Sequence, residues 1–168
     1  LENMALADNK GKPFNLLPGT NKARIDFYRD QLKILGLGLE DKMGVKVGVL
    51  SGGQRQAMAL LMSTMTPIEF LILDEHTAAL DPKTAAKVLA ITQRIVESNH
   101  LTTLMITHNM HDALTLGNRT LMMDHGHIVL DISGEERAHT TVDGLLDRFA
   151  ENVGHALDND RILLSKEK

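Results

Sequence analysis

Two short stretches constrain this chain more than any other part of it. The first is a glycine pair that opens a predicted helix, Leu50-Ser51-Gly52-Gly53-Gln54-Arg55-Gln56. The second is an apolar run that ends in two carboxylates, Phe70-Leu71-Ile72-Leu73-Asp74-Glu75. Gly53 precedes Asp74 by 21 positions, so the chain must pass from a helix into the apolar run within that short interval.

The first stretch has the features of a capped helix. Ser51 is a good N-cap, because its side chain can accept a hydrogen bond from an early helix amide. Apolar residues recur at helical spacing over residues 54–65, which predicts a helix with one buried face. Gly52 and Gly53 leave the backbone at the helix start uncovered, and free amides at the positive end of the helix dipole favour a phosphate. Taken alone, a plain glycine-rich helix start is the alternative.

The second stretch predicts a strand that presents two carboxylates. Residues 69–73 are too few for a helix and apolar enough for a strand buried on both faces, as in a parallel sheet. Successive side chains on a strand alternate, so Asp74 and Glu75 point to different sides of the edge where α/β sheets bind ligands. Asp74 suits Mg²⁺ held through water, and Glu75 suits an attacking water that it orients and deprotonates. A solvated acidic turn is the alternative.

The remaining patterns alternate helices with strands. They predict helices over residues 1–8, 22–35 and 82–98, a strand over 102–106, a short helix near 110–116, a hairpin of 120–123 and 128–132, and a helix capped by Thr141. We therefore expect an α/β layer with a parallel sheet, and a hairpin at or near one edge of it. Residues 9–20 predict a loop, and residues after Asn152 a polar tail. Composition changes at Pro67, which suggests a helical subdomain of residues 1–66 followed by residues 67–168.

Composition excludes several classes of function. The chain has 168 residues and a formal net charge of −4, so a general nucleic-acid-binding surface is not indicated. It contains no cysteine, which rules out disulfides and thiol chemistry. Its apolar runs all fall short of the roughly 20 residues that a membrane-spanning helix needs.

The motifs and their order resemble the second half of an ATP-binding-cassette (ABC) ATPase domain, a partial P-loop nucleotidase core with a helical signature subdomain. The matching segments are Leu50–Gln54 for the signature motif, Leu71–Asp74 for Walker B, Ala79–Asp81 for the D-loop and His108 for the switch histidine. Glu75 stands where the family has its catalytic glutamate. His76 replaces a proline that is common in the family, a departure that does not touch the chemistry.

The resemblance implies ATP and Mg²⁺ as ligands and assigns a role to each motif. The implied contacts with an ATP molecule held by a second subunit are made by Ser51, Gly52, Gly53 and Gln54. Within its own site, Asp74 would serve Mg²⁺, Glu75 the hydrolytic water and His108 the γ-phosphate. Asp81 would link the two sites across the dimer. The histidine pairs 108/111 and 125/127 raise the alternative of a metal site, but they lack a supporting cysteine or carboxylate pattern.

The phosphate-cradling loop G-x-x-x-x-G-K-[ST] does not occur in this sequence. The nearest match is Gly48–Gly53, which is followed by Gln54 where the lysine belongs. We therefore expect the chain to be the carboxyl-terminal portion of a larger ATPase that does not hydrolyse ATP alone. A sheet without its Walker A strand would have unpaired edges, so we also expect rearrangement or oligomerisation.

By this resemblance the complete protein would be the ATP-hydrolysing subunit of an ABC transporter. The sequence of residues 73–84 resembles the corresponding segment of bacterial importers of amino-acid-type solutes. The implied place is cytoplasmic, at the inner face of the cell membrane, without direct insertion and without nucleic acid. The implied partners are a second ATPase subunit, membrane-spanning permease subunits and a solute-binding protein.

Two alternative functions stay open. One is a DNA-repair or chromosome-maintenance ATPase, but such proteins carry long heptad coiled coils that residues 1–49 lack. The other is a non-catalytic interaction module derived from an ABC ATPase. The presence of Asp74, Glu75 and His108 argues against such a loss of catalytic function.

Overall fold

A computed structural model describes residues 1–13 and 22–151 of the 168-residue chain. Most of the predicted loop over residues 9–20 and the predicted tail after Asn152 lie outside these residues. The chain divides into two compact units, the first Leu1–Ile106 and the second beginning at Thr107. The division into residues 1–66 and 67–168 by composition stays a prediction.

The predicted elements are present in both units. The first unit contains α1 (Glu2–Asp8), α2 (Ile25–Ile34), α3 (Gly52–Ser63), β1 (Phe70–Asp74), α4 (Pro82–Ser98) and β2 (Thr102–Ile106). The second unit contains α5 (Met110–Thr115), β3 (Arg119–Asp124), β4 (His127–Ser133) and α6 (Gly134–His139), followed by a helix at residues 142–151. Thr141 caps that last helix as predicted, because its Oγ1 accepts a hydrogen bond of 3.1 Å from the Gly144 amide. Helix α6 was not predicted, since its six residues show no apolar stripe.

Strands β1 and β2 form the predicted parallel pair. Their register runs from Phe70 opposite Thr102 to Asp74 opposite Ile106. Parallel neighbours need a crossover connection, and α4 supplies it between the two strands. The carboxyl ends of both strands therefore lie at the same edge of the sheet.

Burial on both faces of β1 was a wrong prediction. Leu71 and Leu73 are buried in the hydrophobic core, whereas Phe70 and Ile72 are 51% and 60% exposed. The same outer face continues onto β2 through Leu104. Helices of this unit cover only one face of the two-stranded sheet, so an all-apolar strand still shows an alternating burial pattern.

The hairpin differs from expectation in its pairing. Strands β3 and β4 are antiparallel and form their own two-stranded sheet, rather than adding to the β1–β2 sheet. His125 and Gly126 form the two-residue turn, both with positive φ (44° and 83°). That combination suits the right-handed twist of a tight hairpin, so the hairpin can close locally without a neighbouring strand.

The core of the first unit joins its helices to the inner face of β1. Its buried members are Met4, Ala5, Tyr28, Leu32, Leu35, Leu39, Leu50, Ala57, Leu60, Leu61, Leu71, Leu73, Ile91 and Ile95. They come from α1, α2, α3, α4, β1 and the loops between them. The helical segment and the strand that ends in the carboxylates therefore share one continuous core.

A charge cluster around the buried Asp8 ties α1 to α2. The carboxylate of Asp8 accepts hydrogen bonds from the Tyr28 hydroxyl at 2.9 Å and from the Arg24 guanidinium at 2.8 Å. Lys12 lies 3.5 Å away on the exposed side. Burial acts to raise the pKa of Asp8, but the Tyr28 hydrogen bond and the charges of Arg24 and Lys12 outweigh it, so the pKa lies below its usual range. The native fold thus favours the ionised carboxylate.

We expect Asp8→Asn to lower the free energy of unfolding at neutral pH by about 2 kcal/mol, because Arg24 is left without its counter-charge. The native pKa is the lower one, so this stabilisation is present above the unfolded-state value of about 3.8. It is lost as the pH falls through the native value. Urea unfolding at pH 7 and at decreasing acidic pH measures the difference.

Asp26→Asn is the matched control, since Asp26 pairs with Arg29 on the exposed surface of α2. Little change is expected there, because solvent screens exposed ion pairs. Two results would contradict the charge cluster around Asp8 as the cause of the lost stability. One is an equal loss of unfolding free energy in the two variants, and the other is a loss in Asp8→Asn that does not depend on pH.

Candidate functional site

The start of α3 is held by a reciprocal cap. The Ser51 Oγ accepts a hydrogen bond from the Gln54 amide at 3.3 Å, and the Gln54 Oε1 accepts one from the Ser51 amide at 3.1 Å. The predicted N-cap is therefore confirmed. The Gln54 Nε2 also donates to the Leu37 carbonyl at 3.2 Å. The Gln54 side chain thus fastens α3 to the loop before it, and its contact with nucleotide stays a prediction.

The two glycines at this helix start differ in exposure. Gly53 is buried and Gly52 is half-buried, so the helix start is less open than the sequence suggested. The amide of Arg55 bonds to the Ser51 carbonyl at 3.0 Å, and that of Gln54 is taken by the cap. The first amides of a helix have no partner inside it, which at this end leaves those of Gly52 and Gly53. Their role toward a phosphate stays a prediction.

The two carboxylates lie at the carboxyl end of β1. Asp74 is the last residue of the strand, and both Asp74 and Glu75 are exposed. The Glu75 amide donates to the Ile106 carbonyl at 3.0 Å, which extends the pairing with β2 by one residue. Its carbonyl accepts from the Ala78 amide at 3.0 Å, which closes the following turn. The backbone on both sides of Glu75 is therefore held in place.

Glu75 has an unfavourable backbone conformation. Its φ is +42°, in the left-handed region that residues other than glycine, asparagine and aspartate rarely adopt. Such strain persists only where the surroundings hold it, and here the hydrogen bonds to Ile106 and Ala78 do so.

His76 fastens the same turn to α4. Its Nε2 lies 3.1 Å from the Thr92 Oγ1, and that hydroxyl donates its proton to the Val88 carbonyl at 2.9 Å. The Thr92 hydroxyl therefore joins the His76 ring to the backbone of α4. No local sequence pattern indicates this contact, because Thr92 lies within a regular helix.

Asp81 begins α4 as predicted. Its Oδ1 accepts a hydrogen bond of 3.1 Å from the Thr84 amide, and Pro82 occupies the first turn. The hydrogen bonds from Thr84 hold the pKa of Asp81 below its usual range. The D-loop aspartate thus has a structural task of its own, in addition to the role across a dimer that the resemblance implies.

His108 belongs to the second unit, whereas the other predicted site residues lie in the first. It follows Ile106, the last residue of β2, after one intervening residue. Asn109 then caps α5 by accepting from the His111 amide at 3.0 Å and the Asp112 amide at 3.3 Å. Asparagine followed three positions later by aspartate is a helix-start signal that sequence inspection could have used.

The acidic side chains of the candidate site fit Mg²⁺ only if phosphate and water supply the other oxygen ligands. Among residues 1–13 and 22–151, no group of three histidine, cysteine or acidic side chains is arranged to hold a metal ion. Mg²⁺ commonly binds through one or two carboxylates while phosphate and water supply the other oxygens. The exposed carboxylate of Asp74 suits that arrangement.

We expect Asp81→Ala to lower the melting temperature by about 2–4 °C, because α4 loses its N-cap. Asp81→Asn keeps an oxygen acceptor for the Thr84 amide and should melt close to the parent chain. Circular dichroism melts of the two variants separate the cap from the charge. A melt of the alanine variant that matches the parent would contradict the capping role.

We expect Glu75→Asn to raise the free energy of unfolding by about 1 kcal/mol, because asparagine tolerates a positive φ better than glutamate does. Glu75→Gln has the same shape and length as the parent residue and should bring no gain. Chemical denaturation of both variants measures the strain at this turn. No difference between the two variants would show that the turn is unstrained.

In the part of the chain that the structure describes, every helix is too short or too polar to cross a bilayer.

Comparisons with known proteins agree with the family resemblance. Residues 1–78 match the family model described as ABC transporter. The chain is 43% identical over 148 residues to the tyrosine transport ATP-binding protein of Clostridioides difficile, which covers 88% of this chain and 59% of that protein. It is 34% identical over 110 residues to the methionine import ATP-binding protein MetN 2 of Bacillus cereus, covering 62% of this chain and 32% of that protein.

Two solved structures share the fold at 22% identity. An inward-facing metal-chelate type ABC transporter aligns with a TM-score of 0.66 over 89% of this chain and 58% of that chain. A nucleotide-free ATP-binding cassette from an ABC transporter aligns with a TM-score of 0.61 over 82% and 56%. The predicted α/β fold class is confirmed, and the chain spans at most 59% of the relatives described above. This chain belongs to the family of ABC transporter ATP-binding proteins.

Proposed function

We propose that the 168 residues form the carboxyl-terminal portion of the ATP-hydrolysing subunit of an ABC transporter. The observation that carries the proposal is the pairing of Asp74 with Ile106, continued by the hydrogen bond from the Glu75 amide. It sets the two carboxylates at the carboxyl edge of a parallel sheet, where α/β proteins bind ligands. A separate segment of the complete protein supplies the loop G-x-x-x-x-G-K-[ST], which this sequence lacks.

The two carboxylates divide the chemistry. Mg²⁺ supplies positive charge that offsets the negative charge of the phosphates during transfer. Asp74 would hold this ion, through water, with its exposed carboxylate. Glu75 accepts a hydrogen bond from the attacking water, orients it and takes its proton. The positive φ at Glu75 supports this role, because strained residues cluster where the direction of a side chain matters.

The role proposed for His108 is to donate a hydrogen bond to the γ-phosphate. Support comes from its position in the chain, since it follows β2, whose last residue pairs with Asp74. A histidine donor suits a phosphate oxygen, because both ring nitrogens can carry protons.

A second ATPase subunit provides the other half of each nucleotide site. Ser51, Gly52, Gly53 and Gln54 contact the ATP that the partner holds, and Asp81 links the two sites. The helix start at Gly52 supports this, because its amides have no partners inside the helix and form the positive end of the helix dipole. This subunit works in the cytoplasm at the inner face of the membrane, on permease subunits.

The transported solute is of amino-acid type, and the transporter is a bacterial importer that works with a solute-binding protein. Two of the bacterial relatives support this by name, one described for tyrosine transport and one for methionine import. The tyrosine protein shares the higher identity with this chain, which favours a tyrosine-like solute.

We expect the 168-residue chain alone to show no ATP hydrolysis, because it lacks the loop that cradles the phosphates. Joined to its Walker A segment, the subunit should hydrolyse ATP in a Mg²⁺-dependent reaction. Glu75→Gln should then reduce turnover by about 100-fold or more, since a positioned base contributes at least that much. Phosphate release at saturating ATP measures the effect.

Glu69→Gln is the matched control, an exposed carboxylate just before β1 that takes no part in the proposed chemistry. Turnover by the isolated chain that depends on Glu75 would overturn the proposed need for a Walker A segment. Undiminished turnover of the complete Glu75→Gln subunit would overturn the assignment of the base. The class of solute is tested in the assembled transporter. ATP-dependent uptake should be seen for labelled tyrosine and not for a labelled aliphatic sulfonate.

A further inference from the structure

The start of α3 lies unusually close to the start of α4. A Cβ atom added to Gly53 would stand 2.3 Å from the Thr84 Cγ2 and 3.6 Å from the Val88 Cγ2. Carbon atoms pack at about 3.5–4.0 Å, so the first of these distances leaves no room for a side chain. The side of Gly53 on which a side chain would project therefore faces α4 of the same chain.

Gly52 faces Leu80, just before α4, and has more room for a side chain than Gly53. A Cβ atom on Gly52 would lie 3.0 Å from the Leu80 Cδ2, the end of a side chain that can rotate away. The methyl group of Thr84 sits on a β-branched side chain, which has only two common rotamers within a helix. Gly53 is thus the position where the fold demands glycine.

Thr84 cannot withdraw easily from this contact. Its amide is bonded to the Asp81 Oδ1 at 3.1 Å, and the Ala85 amide to the Asp81 carbonyl at 2.8 Å. One turn later Val88 is 1% exposed and packs beneath the same helix start. The Asp81 cap of α4 therefore also fixes the position of Thr84 relative to Gly53.

We propose that Thr84 is a positioning residue that seats α3 against α4 and joins the signature motif to the D-loop as one rigid piece. The inference rests on the proposed function, in which Ser51 and Asp81 both act at the interface with a second ATPase subunit. The contact keeps these two residues in a constant relation, so that both engage the partner's nucleotide site together. Position 53 requires glycine because the methyl group of Thr84 occupies the space that a side chain would need.

A direct role in phosphate binding makes a different demand on Gly53. If glycine were required only so that a phosphate could approach, an added methyl group would obstruct the partner's nucleotide and leave the subunit's own packing alone. The direction of the Cβ atom points instead to Thr84, within the chain. The two explanations differ in whether a change at Thr84 can compensate for a change at Gly53.

The test is a double-mutant cycle with Gly53→Ala and Thr84→Ser in the 168-residue chain. Gly53→Ala should lower the melting temperature by roughly 5 °C, because overpacking forces the two helices apart. Thr84→Ser removes only the methyl group and should change the melt little. The double variant should recover most of the loss, and Gly53→Ala with the exposed Lys83→Ala should recover none. Additive effects, without recovery, would overturn the packing contact.

The same four variants are then compared in the complete subunit, joined to its Walker A segment. If Thr84 positions the motif, Gly53→Ala should reduce turnover at saturating ATP at least 10-fold, and Thr84→Ser should restore it to within about 3-fold of the parent. Recovery of the melt without recovery of turnover would overturn the positioning role. A parent subunit that shows no ATP hydrolysis at all would overturn the proposed function, while the melting cycle would still decide the packing contact.

Discussion

The first unit depends on one topological constraint, the parallel pairing of β1 with β2. Parallel neighbours cannot be joined by a tight turn, so the chain must cross over through a helix, and α4 is that helix. The crossover sets Asp74 at one strand end, Ile106 at the other and Asp81 at the helix start between them. A candidate site for phosphate chemistry thus arises from the same hydrogen bonds that hold the sheet together.

Residues assigned to nucleotide chemistry also hold the fold. Ser51 and Gln54 cap α3 reciprocally, Asp81 caps α4, and Gly53 allows the two helices to meet. Each of these contacts restricts the freedom of a helix start, which is where unbonded amides and the helix dipole are available to an anion. The residues proposed to contact the ligand therefore also give rigid support to the fold, so a loss of activity on mutation needs a measurement of stability beside it.

Elements with strong local signals were predictable from the sequence. The helices α3 and α4 have a capping residue, helical periodicity and, at Pro82, a proline in the first turn, and both formed where expected. The parallel pair followed from the alternation of helix and strand. What failed depended on neighbours: β1 is apolar at every position before Asp74, yet only Leu71 and Leu73 are buried. The hairpin closed on itself, because its turn is satisfied locally.

Residue types at short spacing were enough to predict the family, the order of the motifs and the caps of α3, α4 and the last helix. Three features became visible only in the folded chain: Gly53 lies against Thr84, Glu75 has a positive φ, and His76 is hydrogen-bonded to Thr92. These three features join residues that are distant in the chain or depend on a turn held from both sides. No local pattern encodes them, since they arise where separately stable elements are packed together.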